Sequence, residues 1–333
     1  MSALGDAGDA REGSTTGQID VHAHFLPSSY LAAVERCGVE HPDGIHHWPS
    51  WDVDAAEALM DSAGIASAVL SVSSPGLLLG GGIDVVGLAR QVNEEGAEIV
   101  RCRPGRFGLF ASLPLPEVEA AAKEAAYAID HLGAEGIVFM SNYDGLYLGD
   151  ERLDPLFEVL DARRAVVFVH PTSPLCWEHT ALDHPRPLLE FFFDTTRSIA
   201  NYLLNGGAQR FPRVELIVPH AGAALPALFD RIVGFVESGF APAQVTAAQI
   251  GEGLGRLWFD LAGLAATQQS YAIRRLAGID RLLYGSDYPF TTDHQVARAL
   301  DELRSSSALS PEELGTNLRQ NALRLFPRFG ADR

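Results

Sequence analysis

Lysine is almost missing from this chain. Lys123 is the single one in 333 residues, and arginine does not make up the deficit: 25 basic residues stand against 43 acidic ones, a formal net charge of −18. Proteins that hold nucleic acid through its phosphates carry a basic face or stripe. None can be assembled here, so no nucleic-acid partner is expected. Cysteine is scarce as well. Cys37, Cys102 and Cys176 are odd in number and never fall at CxxC spacing, which excludes a cysteine-built zinc site and suits a reducing compartment. No apolar run approaches the roughly 20 residues that span a bilayer, so no membrane partner is expected either. Met1–Gly17 is rich in Gly, Ser, Thr, Asp and Ala, without the basic and apolar regions of a secretory leader. It reads as a disordered lead-in to a single domain over residues 18–333, and a cytoplasmic location is the expectation.

What is present is core-forming material, 47% of the chain being apolar, arranged as short apolar runs alternating with longer helix-patterned segments. Strands are expected at Ile19–Phe25, Ile65–Val72, Phe107–Leu113, Gly136–Met140, Ala165–Val169, Val214–Val218, Leu257–Leu261 and Leu282–Tyr284. Helical spacing of apolar residues fills the intervals at Asp54–Ala63, Asp84–Arg101, Glu117–His131, Leu153–Arg163, Leu188–Gln209, Ala224–Glu237 and Ala265–Leu276, and Val296–Arg304 and Pro311–Leu325 close the chain. Strand then helix, repeated eight times with no linker, predicts an α/β fold: a (β/α)8 TIM barrel with C-terminal helices. The loop Ser73–Gly82 carries Leu77, Leu78 and Leu79 beside three glycines. It is either a lid or a loop packed on the rim or on a partner subunit.

His22 and His24 lie two residues apart at the end of the first strand. Alternation puts both on one side, close enough to share an ion. His170, His220 and Asp287 also fall at the carboxyl ends of expected strands. In a barrel those ends converge on the face where loops build the active site, so five ligand or proton-transfer groups would meet around one point. His41, His46, His47, His131, His179 and His184 lack this placement and read as surface or structural histidines.

The His22-Ala-His24 pair, the His170-Pro171 strand end, His220-Ala-Gly with Arg231 downstream, and Gly285-Ser-Asp287-Tyr-Pro together resemble the amidohydrolase superfamily. Trp48-Pro-Ser-Trp51, Leu59-Met-Asp-Ser-Ala-Gly-Ile65, Ser73-Ser-Pro-Gly76 and Phe193-Asp-Thr-Thr-Arg197 are similar to its aminocarboxymuconate-semialdehyde decarboxylase-like branch, most of all to 6-methylsalicylate decarboxylases. The resemblance implies a carboxy-lyase that removes CO2 from a hydroxylated aromatic acid. It also implies one divalent metal ion on His22, His24, His170 and Asp287, with Zn2+ favoured by the nitrogen-rich donors and Mn2+ as the alternative. Other members bridge two metals with a lysine after the fourth strand, but here that strand runs into Ser141-Asn142, which excludes such a centre.

Loss of CO2 from a ring requires a proton at the ring carbon, and Asp287 and His220 are the catalytic candidates for delivering it. Arg231 matches a position from which the branch presents an arginine to the neighbouring subunit's substrate, which makes a homodimer the expectation. The arginine that aminocarboxymuconate enzymes carry on their first barrel helix has no counterpart in Asp54–Leu59, favouring a less charged aromatic substrate. Trp48, Trp51, Phe191, Tyr288 and Phe290 are candidates to wall its ring. A metal-dependent hydrolase of a lactone or amide is the alternative activity, and a silent binding barrel the alternative class.

Overall fold

The structure, a computed structural model, describes residues 17–263 and 268–330. Eight parallel strands follow one another in sequence order: β1 Gln18–His24, β2 Ile65–Ser71, β3 Phe107–Ala111, β4 Gly136–Met140, β5 Val166–His170, β6 Glu215–Val218, β7 Trp258–Asp260 and β8 Leu282–Leu283. The seam between β8 and β1 is closed by bridges Asp20↔Tyr284 and Ala23↔Tyr288. There the Val21 and His24 amides donate to the Tyr284 and Tyr288 carbonyls at 3.0 and 2.7 Å. The sheet is therefore a barrel, as the alternating pattern predicts, and its inside is filled: Phe110 and Phe168 stack at 5.4 Å, with the Phe168 ring edge-on to His22 at 4.7 Å. Strands buried on both sides read as near-continuous apolar runs, and Gly136–Met140 is buried at every position.

Outside the strands run α1 Ser28–Arg36, α2 Val53–Ala63, α3 Val85–Cys102, α4 Val118–Asp130, α5 Asp154–Ala162, α6 Arg186–Leu204, α7 Leu225–Glu237, α8 Ala247–Leu254, α9 Gln268–Ala277, α10 Asp293–Ser305 and α11 Leu318–Leu325. Local chemistry sets several of their ends. Asp52 accepts from the Ala55 amide at the start of α2 and Gly64 closes it at φ 73°, while Thr292 and Gln295 form a reciprocal cap on α10. None of these helices is long and apolar enough to cross a membrane.

Differences from expectation lie between the strands. Helix α1, which is not among the expected helices, opens after β1 with Pro27 at the N-cap and Tyr30, Ala33 and Val34 buried at helical spacing. The segment expected as one helix to Gln209 stops at Leu204, where Gly206 (φ 68°) turns the chain before a single turn at Gly207–Arg210. Ala247–Leu254 is a helix that its glycines obscured, held by a Thr246–Gln249 capping box, and the expected Pro311–Leu325 helix opens with a π-helical turn at Glu313–Asn317 before α11. Leu77 and Leu79 are buried in the core, so the loop after β2 packs rather than swings. The expected lead-in lies outside the described residues except for Gly17, whose carbonyl accepts from Arg319 at 2.6 Å; the expected helix start at Ala265 also lies outside them.

Candidate metal centre

His22 and His24 end β1, His170 is the last residue of β5, and Asp287 follows β8 in a left-handed conformation (φ 61°). One ligand atom from each of these four residues lies within 4.8 Å of all the others. Glycine makes the approach possible: a Cβ at Gly285 would come 2.8 Å from the His22 Cβ and 2.9 Å from that of Ala262. His220 follows β6, where His220, Ala221, Gly222 and Ala223 all take positive φ and turn the imidazole towards Asp287.

Each ligand imidazole has its rear nitrogen engaged. His22 Nδ1 is 3.0 Å from Asp260 Oδ2; His24 Nδ1 is 3.0 Å from Ser71 Oγ and 3.2 Å from its carbonyl; His170 Nδ1 donates to the Pro171 carbonyl at 2.8 Å. That arrangement fixes the tautomer and leaves each Nε2 lone pair aimed inward, the usual support for a metal-bound histidine. His22 Nε2 is buried with no hydrogen-bond partner among the described residues. It lies 3.4 Å from Asp287 Oδ1, which is 3.2 Å from His24 Nε2. An orphaned nitrogen beside two more imidazoles and a carboxylate is a donor set that fits a divalent cation.

The electrostatics agree with that fit. Burial would raise the Asp287 carboxyl, but the His22, His220 and His24 imidazoles that face it hold it well below the usual carboxylate range. Burial would likewise raise Asp260, and the His22 charge and hydrogen bond, with the His220 charge and the Ala262 amide, together outweigh it. Burial opposes protonation of His22, yet the Asp260 and Asp287 carboxylates together push it up to about 10. His24 is lowered by burial, and His170 is pushed well down by burial and by the neighbouring His24 and His22 charges. Two ionised carboxylates thus draw positive charge to this cluster: without a metal His22 holds a proton between them, and a dication would take that proton's place.

Above this cluster opens a cavity of about 790 Å³. His170, His220 and Asp287 line its floor; Phe191, Phe192, Phe290, Pro171 and Leu188 line its sides; no arginine or lysine lines it among the described residues. Phe192 stacks on the His220 ring at 5.5 Å, and Phe290 meets His24 edge-on at 5.5 Å.

The protein-family profile described as Amidohydrolase matches residues 19–328. The chain belongs to the amidohydrolase family. It is 32% identical to decarboxylase yanB of Aspergillus niger across 94% of this chain and 88% of that one. It is 30% identical to 6-methylsalicylic acid decarboxylase of Penicillium expansum, covering 94% and 97%. The crystal structure of an amidohydrolase II superposes with a TM-score of 0.86 at 32% identity, covering 93% of this chain and 99% of that one. Within the superfamily this amidohydrolase is an enzyme that groups with the decarboxylases.

Of the aromatic residues expected to wall a ring, Phe191 and Phe290 line the amidohydrolase cavity, whereas Trp48, Trp51 and Tyr288 do not. Trp48 donates from Nε1 to the Val39 carbonyl at 2.8 Å and packs on Tyr30. Trp51 and Tyr288 line a separate small cavity with Ala56, Leu59 and Met60 of α2 instead. The β1 register shifts between Asp20 and Ala23. Asp20 accepts there from the His22 and Ser286 amides, both at 3.0 Å. Arg231 lies on the exposed side of α7 over the Phe235 ring at 4.5 Å and does not line this chain's cavity.

Sequence reasoning did not single out Asp260, Ser73, Phe192 or Thr291. Asp260 carries the most: besides His22, it accepts from the His220 and Ala262 amides at 2.9 and 3.0 Å. Its signal was a carboxylate ending the seventh apolar run. Ser73 Oγ is 3.3 Å from His170 Nε2, and Thr291 donates to Asp287 Oδ2 at 3.3 Å.

Proposed function

We propose that this protein is a metal-dependent, non-oxidative decarboxylase of a hydroxylated aromatic carboxylic acid of the 6-methylsalicylate type. The observation that carries the reading is the convergence of three braced imidazoles and Asp287 within 4.8 Å beneath an aromatic-walled cavity lined by no arginine or lysine among the described residues. Without arginine or lysine, the cavity suits one carboxylate held at the floor better than a dianionic substrate.

His22, His24, His170 and Asp287 would hold the ion, Zn2+ on the nitrogen-rich donor set with Mn2+ as the alternative. Bound there, a divalent cation supplies Lewis acidity and an anchor for the neighbouring carboxylate and hydroxyl oxygens of the acid. Phe191, Phe192 and Phe290 restrict the ring to a plane and exclude water. Asp287, whose Oδ2 is 3.8 Å from His220 Nε2, would carry a proton to the ring carbon, with His220 as the group that delivers or restores it. The ring carbon gains that proton as its bond to the carboxyl carbon breaks, the bonding electrons stay with the ring, and CO2 leaves.

The test is to strip the protein with a chelator, reload it with Zn2+ or Mn2+, and incubate it anaerobically with salicylate, 6-methylsalicylate, a resorcylate and simple lactones. Stoichiometric CO2 and phenol from an acid, restored by metal, is the expected result. Lactone opening without CO2 from any acid overturns it in favour of hydrolysis.

A homodimer belongs to the same reading, with Arg231 of one copy serving its neighbour's cavity. The exposed Leu228 and Phe235 on the same helix, and Phe240 at 80% exposure, support an apolar face there. Sedimentation velocity should give twice the chain mass, and paired Phe235→Glu and Phe240→Glu substitutions should halve it. The free thiols of Cys37, Cys102 and Cys176 support a reducing, cytoplasmic setting.

A further inference from the structure

One wall of the cavity is gathered by a carboxylate that the reaction does not use. Asp43 is buried in the turn Pro42–Gly44 and takes φ 44°. Its Oδ2 accepts from Ser74 Oγ at 2.5 Å, Thr172 Oγ1 at 2.8 Å and the Ser173 amide at 2.8 Å, and its Oδ1 accepts from Arg186 Nη1 at 2.9 Å. Those donors come from the loop after β2, the loop after β5 and the first residue of α6. Arg186 is itself held over the Trp177 ring at 4.1 Å, and a Cβ on Gly44 would run into its side chain.

The neighbours of these groups along the chain line the cavity: Ile45, Ser73, Pro171, Pro185, Pro187 and Leu188. Each is within two residues of a member of the clasp, so a single carboxylate ties together segments that are distant in sequence but share one wall. We propose that Asp43 is a positioning residue that sets the width of the cavity against the substrate ring. It touches no reacting atom; it acts through the wall it holds. This rests on the cavity being the aromatic-acid site. An ionised carboxylate can accept at both oxygens, whereas asparagine accepts at one and turns donors towards the rest. Loss of the clasp lets the wall move outward, and a wall that no longer meets the ring cannot sense a methyl group on it.

The experiment compares Asp43→Asn with Asp161→Asn. The Asp161 carboxylate is also buried, and it accepts from the Arg213 amide and Nε at 2.7 and 2.8 Å at the end of α5, away from the cavity. Two quantities are read on the metal-loaded protein: kcat and KM for 6-methylsalicylate against salicylate, and hydrogen–deuterium exchange of the peptides covering 42–48, 170–176 and 186–190. Asp43→Asn should speed exchange in all three peptides and raise KM about tenfold with kcat changed less than about threefold. It should also narrow the preference between the two acids by roughly tenfold, about the weight of one methyl group in a pocket. Asp161→Asn should do none of these.

Unchanged exchange, or faster exchange with the wild-type KM and preference, overturns the proposal. If the wild-type protein decarboxylates neither acid, the functional reading fails separately, and exchange still decides whether Asp43 holds the wall. Should Asp43→Asn not fold, Arg186→Gln removes one donor from the clasp, and its exchange and KM should move in the same direction by less.

Discussion

Asp287 faces two ways. Oδ1 sits 3.4 and 3.2 Å from the inward nitrogens of His22 and His24, while Oδ2 sits 3.8 Å from His220 Nε2 and takes the Thr291 hydroxyl at 3.3 Å. In the proposed mechanism one oxygen would face the metal and the other would serve proton transfer. Asp287→Asn and His220→Gln should therefore each lower kcat by about 10²-fold or more, with an unchanged circular dichroism spectrum; near-normal turnover in both variants rejects the roles. Behind them, Asp260 orients His22 and pins the His220 backbone. Asp260→Asn should weaken metal affinity by about 10–100-fold, read by competition with a chromophoric chelator, and wild-type affinity would remove Asp260 from the support of the site. His22, His24, His170, His220 and Asp287 are legible in sequence because each terminates an apolar run with a ligand-type side chain. Asp260 does the same, but an aspartate after a tryptophan and a phenylalanine draws no attention without a histidine pattern, and its use depends on a partner 238 positions away.

At the scale of elements, the strands announce themselves because burial on both sides demands unbroken apolar runs, and Gly136–Met140 occupies the expected residues. Side-chain direction is less legible. Trp51 and Tyr288 line a small cavity with residues of α2 rather than the one above the histidines, since residue type does not tell which side of a loop a ring takes. Helix α1 is obscured because proline and serine mark a loop and a helix start equally well. Packing inside the barrel also ties the elements to the site: Phe168, fully buried on β5, stacks on Phe110 and supports the His22 ring. Phe168→Ala should cost about 3–5 kcal/mol in urea unfolding and loosen metal binding with it. A loss below about 1 kcal/mol would show that the barrel floor collapses around the gap and that His22 does not depend on that ring.

For the whole molecule, the four proposed ligands lie on the first strand, the fifth strand and the segment after the eighth, so a bound ion would join opposite sides of one closed barrel. In the unfolded chain His24 and Asp287 are separated by 263 positions, and no preformed site exists there. A ligand that binds only the folded form stabilises it by RT ln(1 + [L]/Kd), about 2.7 kcal/mol at a hundredfold excess over Kd. In a chain of this size each kcal/mol moves the melting temperature by roughly 2 °C or somewhat less, so Zn2+ or Mn2+ added to chelator-stripped protein should raise Tm by about 4–5 °C. The rise should grow with the logarithm of metal concentration, and chelation should reverse it. His170→Asn removes one nitrogen from the set and should abolish most of the shift while leaving the metal-free Tm within a few degrees of wild type. If stripped and loaded proteins melt together across a wide range of metal concentrations, the converged side chains do not form a metal centre, and the decarboxylation route built on them falls with it.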